Sequence, residues 1–283
     1  MRKSCEKKIV VTDLDNTVNT WLTWAVPALD AMTAYVVERK EMDVLDVIAA
    51  LRLIYQQKGT IEYAGVLQDV RLGLSEAEIR EAKRRFSRVR SKGLRLYDGV
   101  AETLDELKTE GATLIAMTDA PLAHATMRVR RLGVEEKYDL LVAVRDPEGT
   151  YLPEVEQNIL QGKYIPRIPY GMVNETKPNV SVGRVVQEFL GKLIEDEDII
   201  IVGDNPRSDM TLAVRHGYRG LFAQYGHRHP QQRELVERIA LYTQGSVAAR
   251  NVAVGIENIE LPIGCTSISS FREIVRYVVP ITL

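Results

Sequence analysis

The sequence predicts an α/β protein: a parallel sheet covered by helices, with one all-helical insertion near its start. Three observations carry this reading. Short β-branched or apolar runs alternate with segments of helical period, as in βαβ units. Three of those runs end, on their carboxyl side, in a hydroxyl or carboxylate residue. Between the first run and the second, from Asn19 to Lys92, only helical signals occur.

The first strand is the run Lys8-Ile9-Val10-Val11-Thr12, which stops at Asp13-Leu14-Asp15-Asn16-Thr17-Val18. In extended chain alternate side chains share a face, so Asp13 and Asp15 project together from the strand end. Two such carboxylates repel, and a fold that keeps them needs a cation, a proton or both. Leu29, Met32 and Val36 mark a first inserted helix, and Val44, Val47, Ile48, Leu51, Ile54 and Tyr55 a second, capped by Asp43 and closed by Gly59. Ser75-Glu76-Ala77-Glu78 reads as a capping box opening a third, with Ile79, Ala82, Phe86 and Val89 as its apolar stripe.

Beyond Leu94 strands and helices alternate. Asp98 is placed to cap a helix through Lys108 that Gly111 closes. A strand follows over Ala112 to Met117, ending at Thr118-Asp119. Pro121 opens a helix to about Leu132, ended by Gly133, and Tyr138 to Val144 forms the next strand. Val182 to Ile194 is helical. Asp198 to Val202 is the most strand-like run and ends at Gly203-Asp204; a helix from Ser208 to His216 leads to a last short strand near Gly220 to Ala223. Residues Arg145 to Met172 carry Pro147, Pro153, Pro166 and Pro169 and read as a loop-rich excursion over the sheet edge. The tail beyond Gly226 holds helices from Gln231 to Tyr242 and Ser269 to Val279, around an irregular stretch with Gly255, Pro262 and Gly264.

Composition narrows the function classes. The chain has 283 residues, 45% apolar and 27% charged, enough for one large domain or a core with an insertion. A net charge of −2 favours neither nucleic acid nor an anionic membrane as partner. No apolar run suits a membrane span, since Trp21 to Val37 is broken by Pro27 and Asp30, and Ile9 to Val11 is too short for a signal peptide core. Cys5 and Cys265 stand at opposite ends and make no disulfide framework, which fits a cytoplasmic protein.

Asp13-Leu14-Asp15-Asn16-Thr17-Val18, Thr118, Lys177-Pro178 and Gly203-Asp204-Asn205-Pro206-Arg207-Ser208-Asp209 occur in an order that resembles the four motifs of the haloacid dehalogenase-like superfamily, over residues 8 to about 225. The resemblance implies a Rossmann-like core, 1–18 and 93–283, with a helical cap of the C1 type, 19–92. It implies a Mg²⁺-dependent phosphatase acting on a small phosphomonoester, with Asp13 as nucleophile and Asp15 as acid and base. Thr118 and Lys177 would hold the phosphoryl oxygens. Mg²⁺ would lie on the Asp13 carboxylate, the Asp15 main-chain carbonyl and Asp204, with Asp209 in or just behind that shell. Phosphoryl transfer asks for just such parts: a nucleophile, an acid for the leaving oxygen, and cations.

Asp15 favours phosphate over halide chemistry, because a halide leaves unprotonated. Asp119 departs from the superfamily, where Asn is common; with Asn205 it is a weaker candidate for touching substrate. A carboxylate there must turn away, be protonated or meet a cation. The implied partner is a small anionic phosphorylated metabolite, and a homodimer through the tail stays open. A phosphotransferase or mutase using the same intermediate, or a non-catalytic binding protein on the same fold, are the alternatives. Plainer readings also stand. Asp209 could serve its helix N-terminus, and the basic run Arg80, Lys83, Arg84, Arg85, Arg88, Arg90 and Lys92 a solvated helix face. Trp21 and Trp24 read as cap core before substrate platform, and His227 and His229 as a weak metal pair.

Overall fold

The computed structural model describes residues 8–63, 65–145, 161–162, 164–195, 198–227, 230–243 and 260–279. A seven-stranded, wholly parallel sheet runs through it. Strand β1 (Ile9–Thr12) lies at its centre, flanked on one side by β2 (Thr113–Pro121), β3 (Leu140–Val144) and β4 (Tyr170–Val173). On the other side lie β5 (Ile199–Gly203), β6 (Arg219–Ala223) and β7 (Cys265–Ile268). Val11 pairs with Ile115 of β2 and Ile201 of β5, so the three strands with chemically marked ends are immediate neighbours. Parallel strands share one carboxyl edge, where open α/β sheets bind ligands.

Ile9 to Val11 of β1, Leu114 to Met117 of β2 and Ile199 to Val202 of β5 are apolar at every position because helices cover both faces of the sheet. Val10, Leu114, Ile200 and Val202 join one core, with α4 (Val100–Thr109) and α5 (Leu122–Arg131). Ile9, Val11, Ile115 and Ile201 join the other, with α6 (Val182–Leu190) and α7 (Thr211–Arg215).

Three helices fill the insertion: α1 (Trp21–Lys40), α2 (Val44–Lys58) and α3 (Glu76–Gly93). Their caps follow the sequence. The Asp43 side chain accepts from the Leu45 amide at 2.7 Å, Gly59 sits at φ +70°, and the Ser75/Glu78 capping box is formed. Their apolar stripes meet in a core of their own, in which Leu51, Val36 and Ala82 are fully buried. Helix α8 (Pro230–Thr243), from the tail, packs on this core through Val236, Ile239 and Tyr242. Tyr242 Oη lies 3.0 Å from Asp30, Arg52 Nε donates to the Leu241 carbonyl at 2.8 Å, and Arg238 pairs with Asp30. Ile239→Ala therefore opens a hole in a buried seam and should lower stability by about 2–5 kcal/mol, read as a lower urea midpoint.

Some elements differ from expectation. Strand β2 runs on through Thr118 to Pro121 across a register shift, so Pro121 ends the strand and α5 starts at Leu122. Gly99, at φ +76°, precedes α4 and no side chain caps it; Asp98 does not serve. Helix α6 stops at Gly191, at φ +64°, short of Ile194. The expected helix over 269–279 is a 3₁₀ turn, Phe271–Ile274, followed by Val275–Val278. Strands β4 and β7 were not expected at all. β4 occupies the end of the Arg145 to Met172 excursion and is half exposed, and β7 carries polar Thr266 and Ser267. Sheet-edge strands keep one flank in solvent and need no apolar run. Pro147, Pro153 and Gly255 lie outside the described residues, as do Cys5, His229 and the His227 side chain.

Among the described residues no helix is long and apolar enough to cross a membrane.

Candidate active site

The loop from Asp13 to Asn19 is built almost wholly by local backbone bonding. The Asp13 amide donates to the Val202 carbonyl at 2.8 Å, extending the β1–β5 ladder by one residue. Asn16 then adopts φ +60°, a left-handed conformation that Asn tolerates better than most side chains. The loop closes as Val18 and Asn19 amides reach back to Leu14, and the Tyr225 hydroxyl donates to the Thr17 carbonyl at 2.8 Å. Gly226 lies flat against this turn, so that a Cβ there would overlap the Asn16 carbonyl and press on Asp204. Gly226→Ala should push the loop aside by around an ångström, a misplacement worth ~10²-fold in rate, with unchanged far-UV circular dichroism. Phosphate release, the activity that the resemblance implies, checks it in the variant.

Asp13, Asp204 and Asp209 converge from the ends of β1 and β5. One oxygen from each lies within 4.8 Å of the others, and Asp13 and Asp209 are buried. Gly203 makes this approach feasible, because a Cβ there would overlap the Asp209 carboxyl. The plain reading of Asp209, as a charge serving its helix, is not what the geometry shows. Asn205 caps that helix, its side-chain oxygen accepting from the amides of Arg207 at 3.0 Å and Ser208 at 3.2 Å. Asp209 instead faces inward, accepting from Lys177 Nζ at 2.7 Å and the Asn205 amide at 3.1 Å.

Lys177 bridges the cluster, its Nζ also lying 2.6 Å from Asp13 Oδ1. Burial alone would lower its pKa, but Asp13 and Asp209 overcome that and hold it well above its ordinary value. One ammonium does not balance three carboxylates. Burial raises Asp13 to about 8, against the pull of Lys177 and with Asp209 and Asp15 adding to the rise. Burial, then Asp13 and Asp209, push Asp204 well above the usual carboxylate range. The Thr17 hydroxyl lies 3.4 Å from both Asp13 and Asp204. Such an all-oxygen set, short of positive charge, can hold a hard divalent cation.

Thr118, buried in the neighbouring strand, accepts the Ala120 amide at 3.1 Å and keeps its hydroxyl proton for another acceptor. Asp119 turns to the backbone: its Oδ1 accepts the Lys177 amide at 2.9 Å, ahead of the cis Lys177-Pro178 bond. Burial raises its pKa, opposed by the Lys177 charge. Of the three escapes open to a carboxylate at this position, it has taken the first, turning to the Lys177 backbone.

Asp15 leaves the cluster and joins a second network. Its Oδ2 accepts from Arg128 Nη1 at 2.7 Å and its Oδ1 from Asn19 at 3.1 Å. Arg128, only 2% exposed, also pairs with Glu62 from the insertion, and Glu62 meets His124 Nδ1 at 2.8 Å. Burial would raise the Glu62 pKa, but Arg128 and His124 together hold it well below the usual range. Burial raises Asp15, with Arg128 opposing. Sequence reasoning passed over Arg128, Glu62 and His124. One signal was available for Arg128: it shares the buried face of α5 with Ala125 and Val129, where a charge needs a partner. Nothing in the turn around Glu62 marked it.

No protein-family profile matches the chain, and no curated protein matches it by sequence. Solved structures do. A protein from Thermotoga maritima assigned as a β-phosphoglucomutase superposes with a TM-score of 0.54 at 16% identity, covering 95% of this chain and 97% of its own. One from Haemophilus somnus assigned as a phosphoglycolate phosphatase gives 0.50 at 17%, covering 97% and 99%. A haloacid dehalogenase-like phosphatase from Thermococcus onnurineus gives 0.50 at 16%, covering 78% and 88%. The fold is that of the haloacid dehalogenase-like proteins. In this fold Asp13, Lys177, Asp204 and Asp209 come into direct proximity.

Proposed function

We propose that the chain is a Mg²⁺-dependent phosphatase that hydrolyses a small phosphomonoester through an aspartyl-phosphate on Asp13. The carrying observation is the buried cluster of Asp13, Asp204 and Asp209 bridged by Lys177. Mg²⁺ would sit on the carboxylates of Asp13, Asp204 and Asp209 and the Asp15 main-chain carbonyl, offsetting their charge and that of the phosphoryl oxygens.

In this reading Asp13, held by Lys177 and the β1–β5 ladder, presents one oxygen in line with phosphorus. Lys177 and the Thr118 hydroxyl take the equatorial oxygens as charge moves onto them. Asp15 gives its proton to the leaving oxygen, then takes one from the water that attacks the aspartyl-phosphate. Opposing influences suit it to both tasks: burial favours the protonated carboxyl, and Arg128 the ionised one. The helical insertion, which reaches Asp15 through Glu62 and Arg128, acts as the cap that shuts water out. Titrating EDTA-treated protein with Mg²⁺ should restore phosphate release from acetyl phosphate, and Ca²⁺, which prefers longer bonds and more ligands, should not. A mutase reading, suggested by the Thermotoga neighbour's assigned activity, requires an acceptor; release to water alone counts against it.

A further inference from the structure

A second feature adjoins Asp15 through Arg128. Between α1, α2 and α3 of the insertion and α5 of the core is a cavity of about 250 Å³. Small-ligand pockets span ~300–1,000 Å³, so it suits a compact occupant. Its wall is aromatic: Trp21, Trp24, Tyr55, Tyr63, Phe86 and Tyr164 all line it. Trp21 and Trp24 therefore belong to the cap core and border this cavity as well.

The wall is also short of acceptors. The ring N–H groups of Trp21 and Trp24 and the Nε–H groups of Arg90 and Arg128 are buried and find no acceptor among the described residues. A buried donor left unmade costs about 1–3 kcal/mol, and four in one wall are a concentrated deficit. Arg90 has no carboxylate partner among the described residues; its guanidinium stands 5.6 Å from the Phe86 ring centre. Burial draws its pKa down to about 10, with Arg131 and Arg128 adding, which still leaves it a cation at neutral pH. Arg128 belongs to both places: it lines the cavity and donates to Asp15.

We propose that this cavity is the leaving-group pocket, and that it takes a flat aromatic alcohol carrying a second acceptor, carboxylate or carbonyl, toward Arg90. The inference rests on the phosphatase reading and names its substrate class. The ester P–O bond breaks as the Asp13–phosphorus bond forms, and the aromatic alcohol leaves with the Asp15 proton. Aromatic faces supply stacking and burial, and Arg90 selects an acid end.

The test compares 4-carboxybenzyl phosphate, benzyl phosphate and glycerol 2-phosphate, whose leaving alcohols are of similar basicity. Expected is a kcat/KM order in that sequence, at least about tenfold from first to last and carried by KM, as for a pocket that recognises the leaving group. Arg90→Met, which keeps the apolar stem, should erase the difference between the two benzyl esters. Equal kcat/KM for all three, unaltered in the variant, overturns the proposal while the phosphatase reading stands. If acetyl phosphate is turned over but no ester is, the proposal is overturned and the phosphatase reading stands; if neither is, that reading fails, and calorimetry with 2-naphthoate decides the pocket's chemistry. Saturable binding with a negative heat-capacity change, weakened about tenfold in Arg90→Met, upholds it; no heat overturns it.

Discussion

Asp13→Asn abolishes turnover, lowering phosphate release by at least about 10⁴-fold, the scale on which enzymes lose rate when the attacking group itself is removed. The amide is isosteric, but its oxygen cannot form a stable acyl phosphate. Loss of the fold is not the expected cause. Lys177 keeps Asp209 at 2.7 Å, and the Asp13 amide still donates to Val202. Burial already places the Asp13 carboxyl at about 8, so ionising it inside the protein is unfavourable without added positive charge. The neutral amide removes that burden, and the metal-free variant should unfold at a urea concentration equal to or above that of the parent. Activity assay and denaturation together separate a chemical loss from a structural one.

Arg128→Met is expected to have the largest effect on stability, about 3–5 kcal/mol, the range for stripping a buried ion pair of one partner. The guanidinium is almost fully enclosed and is the common partner of Asp15 and Glu62, so its removal leaves two carboxylates facing each other in the interior. Phosphate release should fall by ~10²-fold or more, because Asp15 loses the group that orients it and favours its ionised form. Acid probes the same contact in the parent. The Glu62 pKa is held below its ordinary 4.5, so the folded state binds fewer protons there than the unfolded chain. Its contribution is present above that value and disappears as the pH falls below it. Arg128→Met should keep only the part of this acid limb that His124 sustains, read in urea midpoints measured against pH.

The sheet centre was legible because β1, β2 and β5 are buried on both faces and read as unbroken apolar runs. The helical insertion was legible because its caps are local: Asp43, Gly59, Ser75 and Glu78 satisfy nearby backbone groups. The edges were not, since β4 and β7 need no apolar pattern, and neither was the docking of α8 on the insertion. That contact joins Asp30 to Tyr242 across the chain, and no periodicity reports it. In the site, residues at strand ends could be named from the sequence, because parallel topology alone assembles them. Arg128 and Glu62 could not, since their role depends on a helix face from the core meeting a turn from the insertion. The sequence asks that the Asp13–Asp15 pair be compensated and, through the resemblance, gives the two different roles, but it names no separate partner for Asp15. The structure supplies that partner, giving Asp13 to Lys177 and Asp15 to Arg128.

The claim on which the rest depends is that Asp13 takes the phosphoryl group. Acid-quenching the Mg²⁺-loaded protein during turnover of acetyl phosphate, reducing with borohydride and mapping peptides tests it directly. Reduction of an aspartyl-phosphate at Asp13 leaves homoserine at that position alone, and Asp13→Asn shows none. Full-rate phosphate release with Asp13 unmodified, or homoserine at Asp15, Asp204 or Asp209 instead, contradicts the account.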